Sequence, residues 1–268
     1  MLRFGMRAGL VARRCFLLTI LGLAGFGKVC LLPAQTPAAG SATASPAKAA
    51  ALAEEKLPPP LTHYLGREIA TTMHYSGAPW LVRESRQREE DCKRLLSALK
   101  IQRGQTVCDL GCGNGFYTVR LARLVGPEGK VYAVDIQPEM LDMLAAWSKK
   151  ERLTNVTPIL GSPIDPRLPE RQLDLVLMVD VYHEFSHPQQ MLAAIRRSLK
   201  PGGRIALAEF RAEDPQVPIL PLHKMSKEQI LKEFSANGFR LVEEFDGLPW
   251  QHLLFFRIAQ ERGNGTPR

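Results

Sequence analysis

Short apolar runs alternate with helix-length segments over most of residues 104–260, and this alternation limits the possible folds more than any other feature. Each run has the length of a β-strand, and several are apolar at consecutive positions, as expected of parallel strands covered by helices on both faces. The predicted strands are Thr106–Leu110, Lys130–Val134, Val156–Leu160, Leu173–Val179 and Arg204–Phe210, and the predicted helices between them are Phe116–Val125, Pro138–Glu151 and Pro188–Leu199. This order predicts an α/β, doubly wound (Rossmann-like) domain with a mostly parallel sheet.

The C-terminal part departs from this alternation. A predicted helix, Ser226–Asn237, begins with a capping-box pattern at Ser226 and Gln229. Two predicted strands, Arg240–Phe245 and His252–Ile258, then follow with only a turn between them. They predict an antiparallel hairpin at the edge of the sheet, which brings the expected total to seven strands.

Residues 61–103 precede the first strand of the sheet and predict an N-terminal helical lid. Glu84–Lys100 carries apolar residues at three- and four-residue spacings, which predicts one amphipathic helix. The preceding segment, Met73–Glu84, mixes aromatic and charged residues. We expect it to cover a ligand site, with packing on the sheet as the alternative.

Residues 1–34 have the layout of an export signal. A basic region ends at Arg13-Arg14, and an apolar run from Cys15 to Phe26 follows it. The run is shorter than the ~20 residues of a membrane-spanning helix, so an uncleaved anchor is the second choice. The paired arginines also resemble the twin-arginine export motif. We therefore expect an exported protein without a stable membrane span in its mature form, with a cytoplasmic or membrane-anchored protein as the alternative.

Composition separates the remaining segments and argues against nucleic acid as a partner. Residues 35–60 are rich in Ala and Pro and predict a disordered linker, and residues 261–268 predict a disordered tail. The net charge is +8, but six of these charges lie before Glu54, where there is no acidic residue. The rest of the chain carries only +2, which offers little driving force for binding phosphates.

A glycine loop follows the first strand of the predicted sheet. It reads Asp109-Leu110-Gly111-Cys112-Gly113-Asn114-Gly115, so the glycines alternate and an acidic residue stands two positions before the first of them. Glycines let the backbone turn sharply and approach a ligand closely. A carboxylate at Asp109 would repel a pyrophosphate and suits a cationic ligand. The spacing also differs from the Gly-x-Gly-x-x-Gly pattern of dinucleotide-binding proteins, which disfavours an NAD-dependent oxidoreductase.

Polar residues end the next three strands at the same edge of the sheet. Asp135 ends the second strand, where an acidic residue can accept hydrogen bonds from ribose hydroxyls. Ser162 follows the third strand and Asp180 the fourth. Because the carboxyl ends of parallel strands share one edge, these residues are expected to line one pocket.

Together these residues resemble class I S-adenosylmethionine-dependent methyltransferases, and the resemblance covers roughly residues 61–258. It implies that Asp109, Gly111 and Gly113 hold the methionine part of S-adenosyl-L-methionine, and that Cys112, Asn114 and Gly115 of the same loop belong to the cofactor site. It further implies that Asp135 holds the ribose, that Ile136 packs on adenine and that Ser162 lies near the adenine amino group. Family members often have Asp where Ser162 stands, so Asp165 is the alternative adenine contact.

The loop after the fourth strand contains Tyr182, His183 and Glu184. In the resembling family this loop lines the acceptor site, which makes these residues candidates for orienting or deprotonating the acceptor. His183, Glu184 and His187 also form the pattern His-Glu-x-x-His, which is a zinc-protease motif. Pro188 disfavours the helix that this motif needs. We expect no metal site here, and the cysteine spacings predict none.

The expected activity is methyl transfer from S-adenosyl-L-methionine to a small molecule, as in quinone-type methyltransferases. A non-catalytic protein that binds the adenosyl cofactor remains the alternative.

Overall fold

The computed structural model describes residues 57–259, and its main element is a seven-stranded sheet. In chain order the strands are β1 (His63–Tyr64), β2 (Arg67–Glu68), β3 (Thr106–Leu110), β4 (Lys130–Asp135), β5 (Val156–Leu160), β6 (Leu173–Val179), β7 (Leu199–Phe210), β8 (Phe239–Glu244) and β9 (Gln251–Ile258). The α-helices are α1 (Arg86–Glu90), α2 (Cys92–Ala98), α3 (Thr118–Val125), α4 (Pro138–Lys150), α5 (Pro188–Ser198) and α6 (Lys227–Ala236). Three 3₁₀ helices span Tyr75–Val82, Tyr182–Glu184 and Pro221–His223.

The strands of the main sheet lie in the order β5-β4-β3-β6-β7-β9-β8. Neighbours from β5 to β7 are parallel, whereas β9 runs antiparallel to both β7 and β8. This confirms the predicted fold class, including the C-terminal hairpin. The strand order reverses beside β3, so a crevice opens at the carboxyl ends of β3, β4 and β6, where open α/β sheets bind ligands.

Each face of the sheet is covered by helices, because alternate strand residues are apolar on both sides. Val107 and Leu175 belong to a buried cluster with Leu95 and Leu121 from α2 and α3. The intervening strand residues belong to a second cluster that includes side chains of α5 and α6: Cys108, Leu110, Val176, Met178, Leu192, Ile195, Ile230 and Phe234.

The helix predicted over Glu84–Lys100 is two helices. Asp91 adopts a left-handed conformation, with φ of 47° and ψ of 59°, and separates α1 from α2. Its carboxylate accepts a hydrogen bond from the Arg94 amide at 3.2 Å and so caps α2. An Asp in the left-handed region is tolerated because its short polar side chain bonds locally. The break lets α1 and α2 take different directions.

The rest of the predicted lid is only partly helical. Residues 61–74 contain the antiparallel ribbon of β1 and β2, and a 3₁₀ helix over Tyr75–Val82 follows. Arg67 anchors the ribbon: its guanidinium pairs with Glu233 of α6 at 2.7 Å and donates to the His183 carbonyl at 2.8 Å. Two-residue strands carry no periodicity of their own, which explains why the sequence pattern did not reveal them.

The predicted leader, the tail and all but the last residues of the predicted linker lie outside the described residues. Within residues 57–259, no helix has both the length and the apolar character needed to cross a bilayer.

Candidate active site

The loop between β3 and α3 passes very close to neighbouring side chains. Gly111 and Gly113 have φ angles of 73° and 53°. A Cβ on Gly111 would lie 2.3 Å from the Val181 Cγ2, and one on Gly113 would lie 2.5 Å from the Leu81 Cδ1. Both glycines line the cavity, so their backbone is open to a ligand.

Three other loop residues predicted to bind the cofactor are not among the residues that line the cavity. The side-chain Nδ2 of Asn114 donates to the Ala78 carbonyl at 3.1 Å, which joins the loop to the lid. A Cβ on Gly115 would meet Leu144 of α4 at 2.4 Å. Cys112 is buried, with its thiol directed at the Gly113 carbonyl. Their placement indicates that they shape the loop.

Asp135, at the end of β4, lines the cavity and supports the loop. One carboxylate oxygen accepts from the Gly113 amide at 2.9 Å, and the other accepts from the Gln137 amide at 3.0 Å. Burial raises the pKa of Asp135, although these backbone bonds lower it. A carboxylate has about four acceptor positions, so at least one remains for a hydroxyl of a ribose.

Asp109 lies beneath the loop, where it does not line the cavity. Its carboxylate accepts a hydrogen bond from the Thr118 hydroxyl at 2.6 Å, at the start of α3. Burial raises the pKa of Asp109 to about 6, although the Thr118 bond and the charge of Arg86 lower it. The structure therefore places the predicted methionine contact behind the glycines, as a support for the loop.

The wall predicted to hold adenine is formed by Ile136, Ser162 and Pro163. Ile136 is 39 % exposed, which leaves an apolar surface for a ring to pack on. The Ser162 hydroxyl accepts from the Asp165 amide at 3.1 Å. The Asp165 carboxylate instead accepts from the Arg167 amide and lies 3.6 Å from Arg197, away from the cavity lining.

Asp180 follows β6 with a φ of 51° and faces the cavity. Its carboxylate accepts from the Gln251 side chain at 2.7 and 2.9 Å. Burial and the nearby Glu90 and Glu209 carboxylates raise the pKa of Asp180 well above its usual range. Asp180 therefore places a carboxyl group at the cavity wall, and a cationic ligand beside it would favour its charged form.

The lid closes the cavity from above and is fixed to the sheet by polar contacts. The Gln137 side chain accepts from the Tyr75 amide at 2.7 Å and donates to the Met73 carbonyl at 2.9 Å. Arg86 of α1 pairs with Glu90 at 2.7 Å, and both line the cavity. The Gln137 contacts join the lid to the end of β4, whereas the Arg86–Glu90 pair lies within α1.

A cluster of titratable side chains lies at the same cavity. His183 Nδ1 lies 2.7 Å from a carboxylate oxygen of Glu209, and its Nε2 lies 3.2 Å from His223 Nδ1. Burial opposes protonation of His183, but the Glu209 carboxylate outweighs it and raises the pKa of His183. The Glu184 carboxylate lies 3.9 Å from the same Nε2, and burial raises its pKa to about 7. His183, Glu184 and His223 all line the cavity.

Tyr182 is placed differently from the prediction that it acts on the acceptor. Its side chain is fully buried, and its hydroxyl donates to Glu233 at 2.8 Å, within the core. Its amide donates to Glu209 at 2.8 Å. Because its ring faces α6 and Arg67, Tyr182 holds the loop in position, and it is not among the residues that line the cavity.

The helix required by a His-Glu-x-x-His zinc site does not form. Only Tyr182–Glu184 is helical, as a 3₁₀ turn, and His187 directs its ring nitrogens at the Ser186 hydroxyl and the Pro58 carbonyl. The expectation that there is no metal site here stays a prediction. Among the described residues, ligating atoms of His183, Glu184 and His223 lie within 4.8 Å of one another.

Two members of this cluster were missed by the sequence analysis. Glu209 is fully buried near the end of β7, and a charged residue within the apolar run Ala206-Leu207-Ala208-Glu209-Phe210 was the available signal. His223 lies in a 3₁₀ turn over Pro221–His223 and carries no pattern that separates it from an ordinary loop residue.

One cavity of about 560 Å³ brings the functional groups together, and its lining includes Gly111, Gly113, Asp135, Asp180, His183, Glu184 and His223. The glycine loop, Asp135 and Ile136 form one part of its wall, and the His183 cluster forms another. The remaining wall near the cluster is largely apolar: Val179, Val181, Phe185, Met191, Phe210, Pro218, Ile219 and Leu220. The arrangement can hold a nucleoside-like ligand beside a second, apolar molecule.

Comparison with known proteins agrees with this geometry. The family described as "Methyltransferase domain" matches residues 101–253. Demethylmenaquinone methyltransferases from Geobacillus sp. (strain WCH70) and Listeria welshimeri are 30% and 29% identical over 122 and 126 residues. These matches cover 46% and 47% of this chain, and the chain spans about half the length of these curated relatives (50% and 52%).

A solved structure shows a similar fold. The crystal structure of a SAM-dependent methyltransferase from Aquifex aeolicus aligns with a TM-score of 0.66 and 26% identity, and it covers 70% of this chain and 100% of the other. The family match spans more than half of the 268 residues. The chain therefore belongs to the methyltransferase-domain family and has the fold of class I S-adenosylmethionine-dependent methyltransferases.

Proposed function

We propose that the protein transfers the methyl group of S-adenosyl-L-methionine to a small, largely apolar acceptor that carries an ionisable oxygen. The observation that carries this proposal is the shared cavity: the glycine loop and Asp135 border the same space as His183, Glu184 and His223. A cofactor held at one side would direct its methyl group toward an acceptor held at the other.

The reaction is a displacement at the methyl carbon. A lone pair of the acceptor attacks that carbon, the carbon–sulfur bond breaks, and sulfur keeps the electron pair, which leaves S-adenosylhomocysteine. The acceptor proton must also leave. Because the protein mainly supplies alignment and a cavity poor in water, positioning accounts for most of the expected acceleration.

The His183 cluster is the site for activating the acceptor. Glu209 accepts from the Nδ1–H of His183, so the neutral ring carries its lone pair on Nε2, the nitrogen near His223 and Glu184. That lone pair can receive a proton from the acceptor or coordinate a group that removes it. Tyr182 contributes by fixing the loop.

The acceptor class is inferred from the apolar wall and from the relatives. A ring system with few polar groups suits a wall of aliphatic and aromatic side chains. The Geobacillus and Listeria relatives are named for a demethylmenaquinone acceptor, which supports a quinol-type ring.

The test is transfer of labelled methyl groups from S-adenosyl-L-methionine to a panel of acceptors. We expect label in small hydroxylated aromatic compounds and quinols, and none in RNA, DNA or protein. Label only in a macromolecule would contradict the acceptor class. Tight binding of S-adenosylhomocysteine without transfer to any acceptor would favour the alternative, a non-catalytic cofactor-binding protein.

We also propose that residues 1–34 direct export of the folded enzyme, by the twin-arginine route. The basic and apolar segments of the leader support this. Folded export would carry the bound cofactor, which is made in the cytoplasm, across the membrane. N-terminal sequencing of protein from cell fractions tests this, because an unprocessed cytoplasmic chain would contradict it.

A further inference from the structure

Three side chains on the acceptor side of the cavity present metal-ligating atoms to one another. His183 Nε2 lies 3.2 Å from His223 Nδ1 and 3.9 Å from a Glu184 oxygen, and all three ligating atoms lie within 4.8 Å of one another. Two ligands about 2.1 Å from a tetrahedral zinc ion are separated by about 3.4 Å. The two imidazoles therefore already have nearly the separation that such an ion requires.

A buried carboxylate holds the central ligand in the form that binds metal. Glu209 is fully buried and accepts from the Nδ1–H of His183 at 2.7 Å, and it also accepts from the Tyr182 amide at 2.8 Å. A ligating histidine usually donates its other ring N–H to a carboxylate in this way, which fixes the tautomer and the orientation of the ring. The lone pair on Nε2 is thus directed at His223 and Glu184.

The ligands come from separate parts of the chain, unlike those of the His-Glu-x-x-His pattern. His183 and Glu184 belong to the turn after β6, whereas His223 lies in the 3₁₀ helix before α6. His187 is diverted to the Ser186 hydroxyl and the Pro58 carbonyl. The cluster therefore contains the first two residues of the motif, and His223 stands in the place of its last histidine.

We propose that His183, His223 and Glu184 bind one zinc-class divalent cation at the wall of the cavity, and that an oxygen of the methyl acceptor takes an open coordination position. Three protein ligands with an open position are typical of catalytic zinc sites. Two imidazole nitrogens select a first-row transition ion over Mg²⁺ or Ca²⁺, which prefer oxygen ligands. The cation site stands by itself, whereas its role in activating the acceptor rests on the proposed function.

The cation would activate a hydroxylated acceptor without changing its own charge. Coordination lowers the pKa of the acceptor hydroxyl, whose proton passes to solvent. The oxygen lone pair then attacks the methyl carbon, the carbon–sulfur bond breaks and sulfur keeps the pair. The products are the O-methylated acceptor and S-adenosylhomocysteine, and the cation remains divalent.

The experiment is titration of the metal-free full chain with Zn²⁺ in competition with a chromophoric chelator, and with Co²⁺ followed by visible absorption. We expect one Zn²⁺ per chain and a tetrahedral or five-coordinate Co²⁺ spectrum. His223→Ala should weaken Zn²⁺ binding at least about 100-fold, and Glu209→Gln about 10- to 100-fold through the outer hydrogen bond. Mg²⁺ should not compete.

His187→Gln is the matched control, because this histidine belongs to the sequence motif but lies outside the cluster. Its Zn²⁺ affinity should equal that of the unmodified protein. S-adenosylhomocysteine affinity, measured on the same samples, reports whether each variant keeps its fold and its cofactor site. If Zn²⁺ binds equally to the unmodified protein and to His223→Ala while S-adenosylhomocysteine binding is intact, the cation site is wrong and the methyltransferase proposal is untouched. If the unmodified protein does not bind S-adenosylhomocysteine, the proposed function is wrong.

Discussion

At the scale of single residues, Asp109 is a carboxylate that the fold holds under the glycine loop, away from water. Burial raises the pKa of Asp109 to about 6, whereas the pKa of an aspartate in an unfolded chain is about 3.9. Between these pH values the folded protein binds more protons than the unfolded chain. The contribution of Asp109 to stability is therefore present below about pH 3.9 and is lost as the pH rises through about 6.

Replacing Asp109 with Asn removes this titration while the amide oxygen can still accept from Thr118. In the unmodified protein, the Asp109 titration lowers the free energy of unfolding as the pH rises from about 4 to about 7. Asp109→Asn should lack this decrease. We expect a difference of up to about 3 kcal/mol, because each pKa unit corresponds to ~1.4 kcal/mol. Urea unfolding at a series of pH values measures it, and parallel profiles for the two proteins would contradict this account of Asp109.

Tyr182 and its buried partner Glu233 lead to a different residue-scale prediction. The Tyr182 hydroxyl donates to Glu233, which also pairs with Arg67. Tyr182→Phe should lower the free energy of unfolding by about 1–3 kcal/mol, since a hydrogen bond to a charged group is lost. Methyl-transfer activity per folded molecule should stay close to that of the unmodified protein. A large loss of activity in a stably folded variant would assign Tyr182 a direct role in catalysis.

The sequence predicted some site residues better than others, for a physical reason. Asp135, Ile136, Ser162 and Asp180 stand at strand ends, and the parallel topology alone brings those ends together. Glu209 and His223 act through contacts with His183, which depend on side-chain directions and on an irregular loop. Neither follows from hydrophobic periodicity, so neither was identified.

At the scale of elements, the glycine loop owes its shape to close packing as well as to backbone freedom. Gly111 and Gly104 both have positive φ angles, 73° and 84°. A Cβ on Gly111 would overlap Val181, whereas one on Gly104 would meet nothing within 4 Å. Substitutions at the two positions can therefore distinguish the cost of backbone strain, which both share, from the cost of a steric clash, which only Gly111 has.

We expect each of two substitutions, Gly104→Ala and Gly111→Ala, to lower the free energy of unfolding by about 1–2 kcal/mol, because alanine is strained in the left-handed backbone conformation. Only Gly111→Ala should also lose affinity for S-adenosylhomocysteine, because Val181 and the loop must move apart. Calorimetric titration of both variants, with unfolding curves on the same samples, provides the measurement. Equal affinities in the two variants would show that the loop tolerates a side chain at its ligand-facing turn.

The elements with strong periodicity were predicted closely, and those set by single residues were not. The predicted strands Thr106–Leu110, Val156–Leu160 and Leu173–Val179 match the structure at both ends. The helix predicted over Glu84–Lys100 is broken because Asp91 adopts a left-handed conformation, which an amphipathic pattern cannot reveal. The ends of a strand follow from which residues are buried and paired in the sheet, whereas the end of a helix can depend on a single residue such as Asp91.

At the scale of the whole molecule, the lid and the sheet form one cavity because a few polar contacts tie them together. Gln137 links the end of β4 to Met73 and Tyr75, and Arg67 links the ribbon to α6. The cofactor site and the His183 cluster thus depend on the same packing. All the residues to which the proposed reaction is assigned lie within the described part of the chain, residues 57–259.

The central claim is that Asp135 and the glycine loop hold an adenosyl cofactor. Calorimetric titration of the full chain with S-adenosylmethionine, S-adenosylhomocysteine and NAD tests it most directly, repeated with Asp135→Ala and with Asp165→Ala as the matched control. We predict tight binding of both adenosyl ligands, no binding of NAD, and a loss of about 1–3 kcal/mol in affinity for Asp135→Ala alone. Binding of NAD only, or adenosyl-ligand affinity that Asp135→Ala leaves unchanged, would contradict the account.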